Sequence, residues 1–332
     1  MSKTRMLKRC SAVEGNFSYL VAVIGFLVMM LISSAVVGGM EEGGAPREVV
    51  SFLINSLIQF VFLVTAVQPF RLFGSRPTYY YSKIKPKYIL FGAIVAVVSI
   101  IGFEALALAF NYGLISLGYQ ATGVVSFGSA LAIVLNAVHV ILIAPVCEET
   151  LLRGSLLSSL GVTGKMSERA RIPFMVITCG LLFALLHMNP LQTVYQFLFG
   201  CALAYITIRF GNIIIAIVAH AVNNAIGFIL SIPVIDGGIT AWMNSVFAEW
   251  WGVMLWIVVG IVLAIVAFFI LRFIGRKFGG LSPVSPTNEA VKEGEFVQAD
   301  DGGTYGGVII AGVGAVICLI MWIATLLTSF AV

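Results

Sequence analysis

Residues 141–154 read ILIAPVCEETLLRG, an apolar segment interrupted by two acids and one arginine. Apolar residues continue on both sides, so the segment predicts a helix over about 128–157 that is long enough to cross a bilayer. Charged side chains inside a membrane are costly and usually mark a functional site. The i, i+4 spacing predicts a pair between Glu149 and Arg153, whereas Glu148 points roughly 100° away and is left for chemistry.

The rest of the chain has the same apolar character. Of its 332 residues 60% are hydrophobic and only 10% are charged, whereas a soluble protein is about a quarter charged. This composition excludes a water-soluble fold and predicts an all-α, polytopic transmembrane helix bundle of eight core helices and a ninth, C-terminal helix. No strand is expected inside the bilayer, because its unpaired edge would lie in lipid. The nine predicted spans cover about 17–39, 49–70, 88–116, 128–157, 172–189, 191–208, 212–232, 250–274 and 307–330.

The basic residues predict the orientation. If the amino terminus is cytoplasmic, all of the 19 basic residues except Arg47 and Arg153 fall on the cytoplasmic side, as the positive-inside rule requires. We therefore expect a multi-pass protein of the cell membrane with its amino terminus in the cytoplasm and its carboxyl terminus outside.

Composition also divides the chain into regions. The predicted regions are N-terminal transmembrane helices (1–127), a core that carries the polar motifs (128–232), the eighth helix (233–278), a polar, flexible cytoplasmic linker (279–306) and the C-terminal helix (307–332). The five cysteines form no CxxC pair and are interpreted as apolar residues. Cys147 is a possible nucleophile, although a thiol buried in a membrane is unreactive.

The three histidines all lie in predicted spans. His187 follows Phe183 by four residues and His220 precedes Asn224 by four, so each pair shares a helix face. A glutamate with two histidines is a metal-ligand or general-base set, and an asparagine amide can stabilise an oxyanion. The helical rise places Glu148, His187 and His220 roughly 18, 20 and 12 Å from the cytoplasmic helix ends, so we expect them at similar depths.

Together these residues form the motifs EExxxR, FxxxH and HxxxN, in that order. On them, residues 128–232 resemble the CAAX protease and bacteriocin-processing (CPBP, Abi) family of intramembrane proteases, which includes CAAX prenyl protease 2 and proteins similar to lysostaphin resistance protein A. The resemblance implies a peptidase site that opens toward the cytoplasm. It assigns activation of water to Glu148 with His187, and support of that pair to Glu149 and Arg153. It assigns oxyanion stabilisation to His220 and Asn224.

The resemblance leaves the cofactor open between no metal and zinc. A zinc ion would be held by Glu148, His187 and His220, while the absence of an HExxH pair favours a metal-free glutamate protease. The implied partners are membrane lipid and a peptide or protein substrate, either prenylated or a bacteriocin-type precursor. No nucleic acid is expected.

Two other functions compete with the peptidase. The chain could retain the fold as a non-catalytic membrane partner in immunity or export. It could also be a proton- or ion-coupled carrier, although no internal repeat is visible. Three further polar residues stay ambiguous: His139 is predicted to pack, Glu104 either lines the cavity or bonds to a neighbouring helix, and Asn223 competes with Asn224 for the oxyanion.

Overall fold

The computed structural model describes most of the chain. The described residues are 7–40, 45–79, 85–120, 129–162, 166–247, 250–279, 296–297 and 304–330. The helices are α1 (Glu14–Val37), α2 (Ala45–Phe73), α3 (Pro86–Ser116), α4 (Ala130–Leu160), α5 (Glu168–Leu186), α6 (Thr193–Phe210), α7 (Ile214–Leu230), α8 (Pro233–Val246), α9 (Trp250–Phe278) and α10 (Thr304–Thr328).

These helices confirm the all-α, polytopic fold. Within the described residues, eight helices are long and apolar enough to cross a membrane, and a helix lies at each of the nine predicted spans. The predicted span 212–232 differs from the others, because α7 has only 17 residues and is about 26 Å long. That is shorter than a typical hydrocarbon core of about 30 Å.

The region 233–278, predicted to hold the eighth helix, contains two helices. Residues 233–246 form α8, which the sequence did not predict as a separate helix, and α9 begins at Trp250. Pro233 suits the first position of a helix, because it has no N–H to leave unpaired there. The Gly237–Gly238 pair and Asp236 lower the apolar character of α8, which explains why the hydropathy pattern missed it.

Within the described residues, three short strands lie outside the helices. Strand β1 (Leu7–Arg9) pairs in parallel with β2 (Ser75–Arg76) and with β3 (Phe296–Val297). They do not conflict with the expectation of a strand-free bilayer, because none lies within a predicted span. Strand β3 is one of the few described parts of the predicted linker 279–306, and the rest of that prediction lies outside the described residues.

Helix ends with the same predicted orientation meet in the structure. Lys87 Nζ, at the start of α3, donates to Phe278 O at the end of α9, 3.3 Å away. Near the end of α6, Arg209 Nε donates to Gly275 O at 3.1 Å. At the start of α1, Gly15 N donates to Ser159 Oγ at the end of α4, at 2.8 Å. These contacts agree with the alternating helix directions expected for a chain that crosses the bilayer back and forth.

Helix α4 is central to the bundle. Every residue from 147 to 160 is buried, and a helix that is buried all round lies inside a larger assembly of helices. Two π-helical segments, His139–Ile143 and Thr150–Leu156, flank its α-helical turn Ala144–Glu149. Such π turns are frequent at functional sites because the extra residue redirects side chains.

Candidate active site

Glu149 lies at the centre of a closed polar cluster. Its side chain is fully buried, and its Oε1 accepts hydrogen bonds from Arg153 Nη1 at 2.8 Å and from His220 Nδ1 at 2.9 Å. The predicted Glu149–Arg153 pair is therefore confirmed. The guanidinium also donates through Nη2 to Gly200 O at 3.0 Å, which connects α4 to α6.

Phe183 covers this cluster from α5. The Arg153 guanidinium lies 4.5 Å from the centre of the Phe183 ring, a favourable cation–π distance. The His187 and His220 rings meet the same ring edge-on, with centroids at 4.7 and 5.7 Å. The phenylalanine of FxxxH thus packs against the functional groups of all three motifs. We call Glu149, Arg153, Phe183 and His220 the Glu149 pocket.

Two glycines bring α5 and α6 close enough to build this pocket. A Cβ atom on Gly200 would lie 2.9 Å from both Gly180 Cα and Phe183 Cδ1, and one on Gly180 would lie 2.5 Å from Cys201 Sγ. Atoms do not approach that closely without displacement. Glycine at both positions lets the Gly200 carbonyl reach Arg153.

Glu148 faces a different direction from Glu149, toward α2. Its side chain is 9% exposed, and its Oε1 accepts a hydrogen bond from Gln59 Nε2 at 3.0 Å. The charge of Glu148 acts electrostatically on the imidazoles of His187 and His139. His139, predicted to pack, therefore lies within electrostatic range of the candidate base, and its buried Nδ1 has no hydrogen-bond partner in the described part of the chain.

His187 immediately follows the last residue of α5. Its Nδ1 lies 2.9 Å from Phe183 O, and because a carbonyl only accepts, Nδ1 carries the proton and Nε2 keeps a lone pair. Met188 then adopts a φ of 49°, a left-handed conformation that is uncommon for residues other than glycine. This turn ends the helix directly after the imidazole.

Asn224 belongs to a chain of polar side chains. Its Nδ2 donates to Val140 O at 2.9 Å, and its Oδ1 accepts from Asn223 Nδ2 at 3.3 Å. Asn223 Oδ1 in turn accepts a hydrogen bond from Tyr195 OH. The two asparagines therefore work together, with Asn223 holding Asn224. Glu104 acts electrostatically on Tyr195 and makes no hydrogen bond to another described residue.

The metal alternative can be tested against these contacts. Among the described residues, no group of three or more His, Cys, Asp and Glu side chains is arranged to hold a metal ion. The hydrogen bond of His220 goes to Glu149, whereas the predicted zinc set paired His220 with Glu148. The described residues therefore do not fit that three-ligand set.

Sequence reasoning did not single out Gln59 or Tyr195 as site residues. Gln59 had a usable signal, because a buried amide in an apolar span needs a partner. Tyr195 had none, since an aromatic residue in a span is ordinary. The close approach at Gly200 depends on the neighbouring helix and is visible only in three dimensions.

Comparison with known proteins supports the interpretation of the three motifs. Residues 129–226, less than a third of the chain, match the family model described as Type II CAAX prenyl endopeptidase Rce1-like. The chain has no significant match among curated proteins or solved structures. The matched segment contains α4 to α7 almost entirely and thus all six predicted site residues. Residues 129–226 are therefore similar to a type II CAAX prenyl endopeptidase Rce1-like domain, which agrees with the resemblance that the three motifs predicted.

Proposed function

We propose that this protein is an intramembrane endopeptidase in which Glu148 is the general base. Its family is a family of proteases, and the division between its two adjacent acids carries the proposal. Glu149 is held by Arg153 and His220, whereas Glu148 accepts one hydrogen bond from a neutral amide and lies within electrostatic range of His187.

The proposed reaction begins with a water molecule between Glu148 and the scissile carbonyl. As the water oxygen attacks the carbonyl carbon, Glu148 takes one proton from it and the carbonyl oxygen becomes an oxyanion. When the tetrahedral intermediate collapses, the C–N bond breaks and Glu148 returns the proton to the leaving amine. His187 Nε2 can accept a hydrogen bond from the water and orient it.

His220 and Asn224 are proposed to stabilise the oxyanion. His220 donates Nδ1–H to Glu149, which orients the ring, and an imidazolium at this position would present its Nε2–H to the oxyanion. Asn224 uses one of its two amide protons on Val140 O, which leaves the second for the same oxygen. Fixed donors of this kind are usually a large part of catalysis.

The proposed substrate is a membrane-associated peptide or protein that is cut near the cytoplasmic side. The resemblance of the three motifs to the protease family supports that side, and the basic residues predict only which helix ends are cytoplasmic. The family description supports a prenylated peptide, and a lipid chain would concentrate such a substrate in the bilayer by about 0.8 kcal/mol per buried CH₂ group. A bacteriocin-type precursor is the other substrate class that the motifs suggest.

Cleavage by the purified protein tests the proposal. Wild type and Glu148→Gln are compared in detergent on a farnesylated peptide and on the same peptide without the lipid. Glu48→Gln is the matched control, because Glu48 bonds to Ser129 at the far end of α2. We expect Glu148→Gln to lose about a thousandfold in rate, within the range of general-base catalysis, and Glu48→Gln to retain the wild-type rate.

Three results would contradict parts of the proposal. Cleavage that survives in Glu148→Gln would remove Glu148 as the base. Equal cleavage of both peptides would contradict a prenylated substrate and leave the peptidase intact. Loss of activity with a chelator and its recovery with zinc would contradict the metal-free scheme.

A further inference from the structure

We infer that Gln59 of α2 is a positioning residue for Glu148. In this inference, which rests on the proposed function, the Gln59 amide fixes Glu148 Oε1 so that the other carboxylate oxygen faces the reacting water. Gln59 lies outside the segment that matches the family model. The peptidase site would then be completed by a helix from the N-terminal region of the chain.

The contact is specific in its chemistry. Gln59 is 7% exposed, and its Nε2 lies 3.0 Å from Glu148 Oε1. An ionised carboxylate only accepts hydrogen bonds, so only the N–H side of the amide can face it. The contact therefore occupies one carboxylate oxygen of Glu148 and leaves the other for the reacting water.

The other half of the amide shows that packing alone does not explain Gln59. Its Oε1 is buried and has no hydrogen-bond partner within the described residues. Buried polar atoms are nearly always paired, and an unpaired one is destabilising. A structural role would be served as well by an apolar side chain, so the contact with Glu148 is the feature that favours glutamine here.

The packing of α2 on α4 fixes the position of Gln59. Ser155 Oγ donates to Ala66 O at 2.6 Å, and both this pair and the Gln59–Glu148 pair join residues 89 apart in the chain. A step of seven residues along α2, from Gln59 to Ala66, matches a step of seven along α4, from Glu148 to Ser155. The two helices therefore run in the same direction and stay in register over about two turns. The hydrogen bond from the Ser155 side chain to the Ala66 carbonyl thus helps to hold Gln59 opposite Glu148.

Steady-state kinetics of Gln59→Met test this role. Methionine is unbranched and of similar length, so it fills the space and removes only the hydrogen bond. We expect kcat on the cleaved peptide to fall about ten- to a hundredfold, as for a misplaced catalytic group, with KM within about twofold of wild type. The control is Thr65→Val on the same helix, since among the described residues Thr65 bonds only to the Val61 and Phe62 carbonyls of α2. This variant should keep the wild-type kcat and KM.

A second variant covers the case in which Gln59→Met does not fold. Gln59→Asn keeps the amide but withdraws it by one methylene, and a folded Gln59→Asn with reduced kcat and unchanged KM supports the inference. The inference is overturned if a folded Gln59→Met or Gln59→Asn protein keeps more than half of the wild-type kcat while Glu148→Gln is inactive. It is also overturned if, in both Gln59 variants, the lower kcat comes with a raised KM and a lower thermal midpoint. That combination would indicate a structural role. Activity in Glu148→Gln would instead refute the proposed base itself.

Discussion

The adjacent carboxylates of Glu148 and Glu149 on α4 differ in their burial and in their hydrogen-bond partners. Glu149 is fully buried and bonded to a guanidinium and an imidazole, under the ring of Phe183. Glu148 is 9% exposed and bonded to the neutral amide of Gln59. The Glu149 pocket resembles a scaffold, in which each group is held by several others. The Glu148 side has the sparser bonding that a reacting group needs.

The energetics of the two sides should differ in the same sense. Removing one partner of a buried ion pair strands the other charge, which is strongly destabilising. Glu148 has no cationic partner among its described contacts, so neutralising it strands no charge. Stability should therefore depend on the Glu149 carboxylate and its ionic partners, and the activation of water on Glu148.

Arg153→Leu should break the Glu149 pocket. It leaves the buried Glu149 carboxylate without its guanidinium and the Gly200 carbonyl without a donor. We expect the free energy of unfolding to fall by about 3–5 kcal/mol, measured by denaturant or thermal unfolding in detergent. Arg209→Leu, which removes a guanidinium that bonds to Gly275 O at the helix ends, is the control and should cost much less. An Arg153→Leu protein as stable as that control would refute the scaffold role.

Gly200→Ala should strain the same pocket without removing a charge. The added Cβ would meet Gly180 Cα and Phe183 Cδ1 at 2.9 Å, and such overpacking costs about 1–3 kcal/mol. Unfolding midpoints and cleavage rates should both fall as Phe183 and the Gly200 carbonyl move. Gly227→Ala on α7, where a Cβ meets nothing within 4 Å, should be neutral or slightly stabilising. Equal behaviour of the two alanines would contradict the close packing at Gly200.

Tyr195→Phe should affect chemistry and leave the Glu149 pocket unchanged. It removes the hydroxyl that bonds to Asn223, and Asn223 in turn holds Asn224. Loss of one hydrogen bond of about 0.5–1.5 kcal/mol predicts a fewfold to tenfold lower kcat. Tyr205→Phe, whose hydroxyl bonds to Arg272 O, is the matched control and should retain activity. A wild-type kcat in Tyr195→Phe would show that the hydrogen bonds from Tyr195 through Asn223 to Asn224 do not contribute to oxyanion stabilisation.

Much of the fold was predictable because a segment that crosses the bilayer must be apolar and about 20 residues long. Each of the nine predicted spans corresponds to a helix, since apolar length alone specifies a membrane helix. The weak points were α7 and α8, where a short helix and a Gly-Gly segment depend on neighbouring helices for burial. Hydropathy carries no information about those neighbours.

The candidate site was predictable in part. Spacing alone predicted the Glu149–Arg153 pair, because both residues lie on one helix. The depth argument worked less well. Measured from the observed helix starts, His187 lies about 28 Å along α5 and His220 about 9 Å along α7, yet both rings contact Phe183. Helices of unequal length start at different levels, so pairings between helices, such as His220 with Glu149, required the structure.

The most direct test compares Glu148→Gln and Glu149→Gln in one set of preparations, with thermal unfolding and peptide cleavage measured for both. For Glu148→Gln we predict a midpoint within about 3 °C of wild type, the shift that about 1 kcal/mol produces, and loss of cleavage. For Glu149→Gln we predict a clearly lower midpoint, because Arg153 and His220 lose their anion. A Glu148→Gln protein as destabilised as Glu149→Gln, or one that still cleaves, would contradict the division between the two carboxylates.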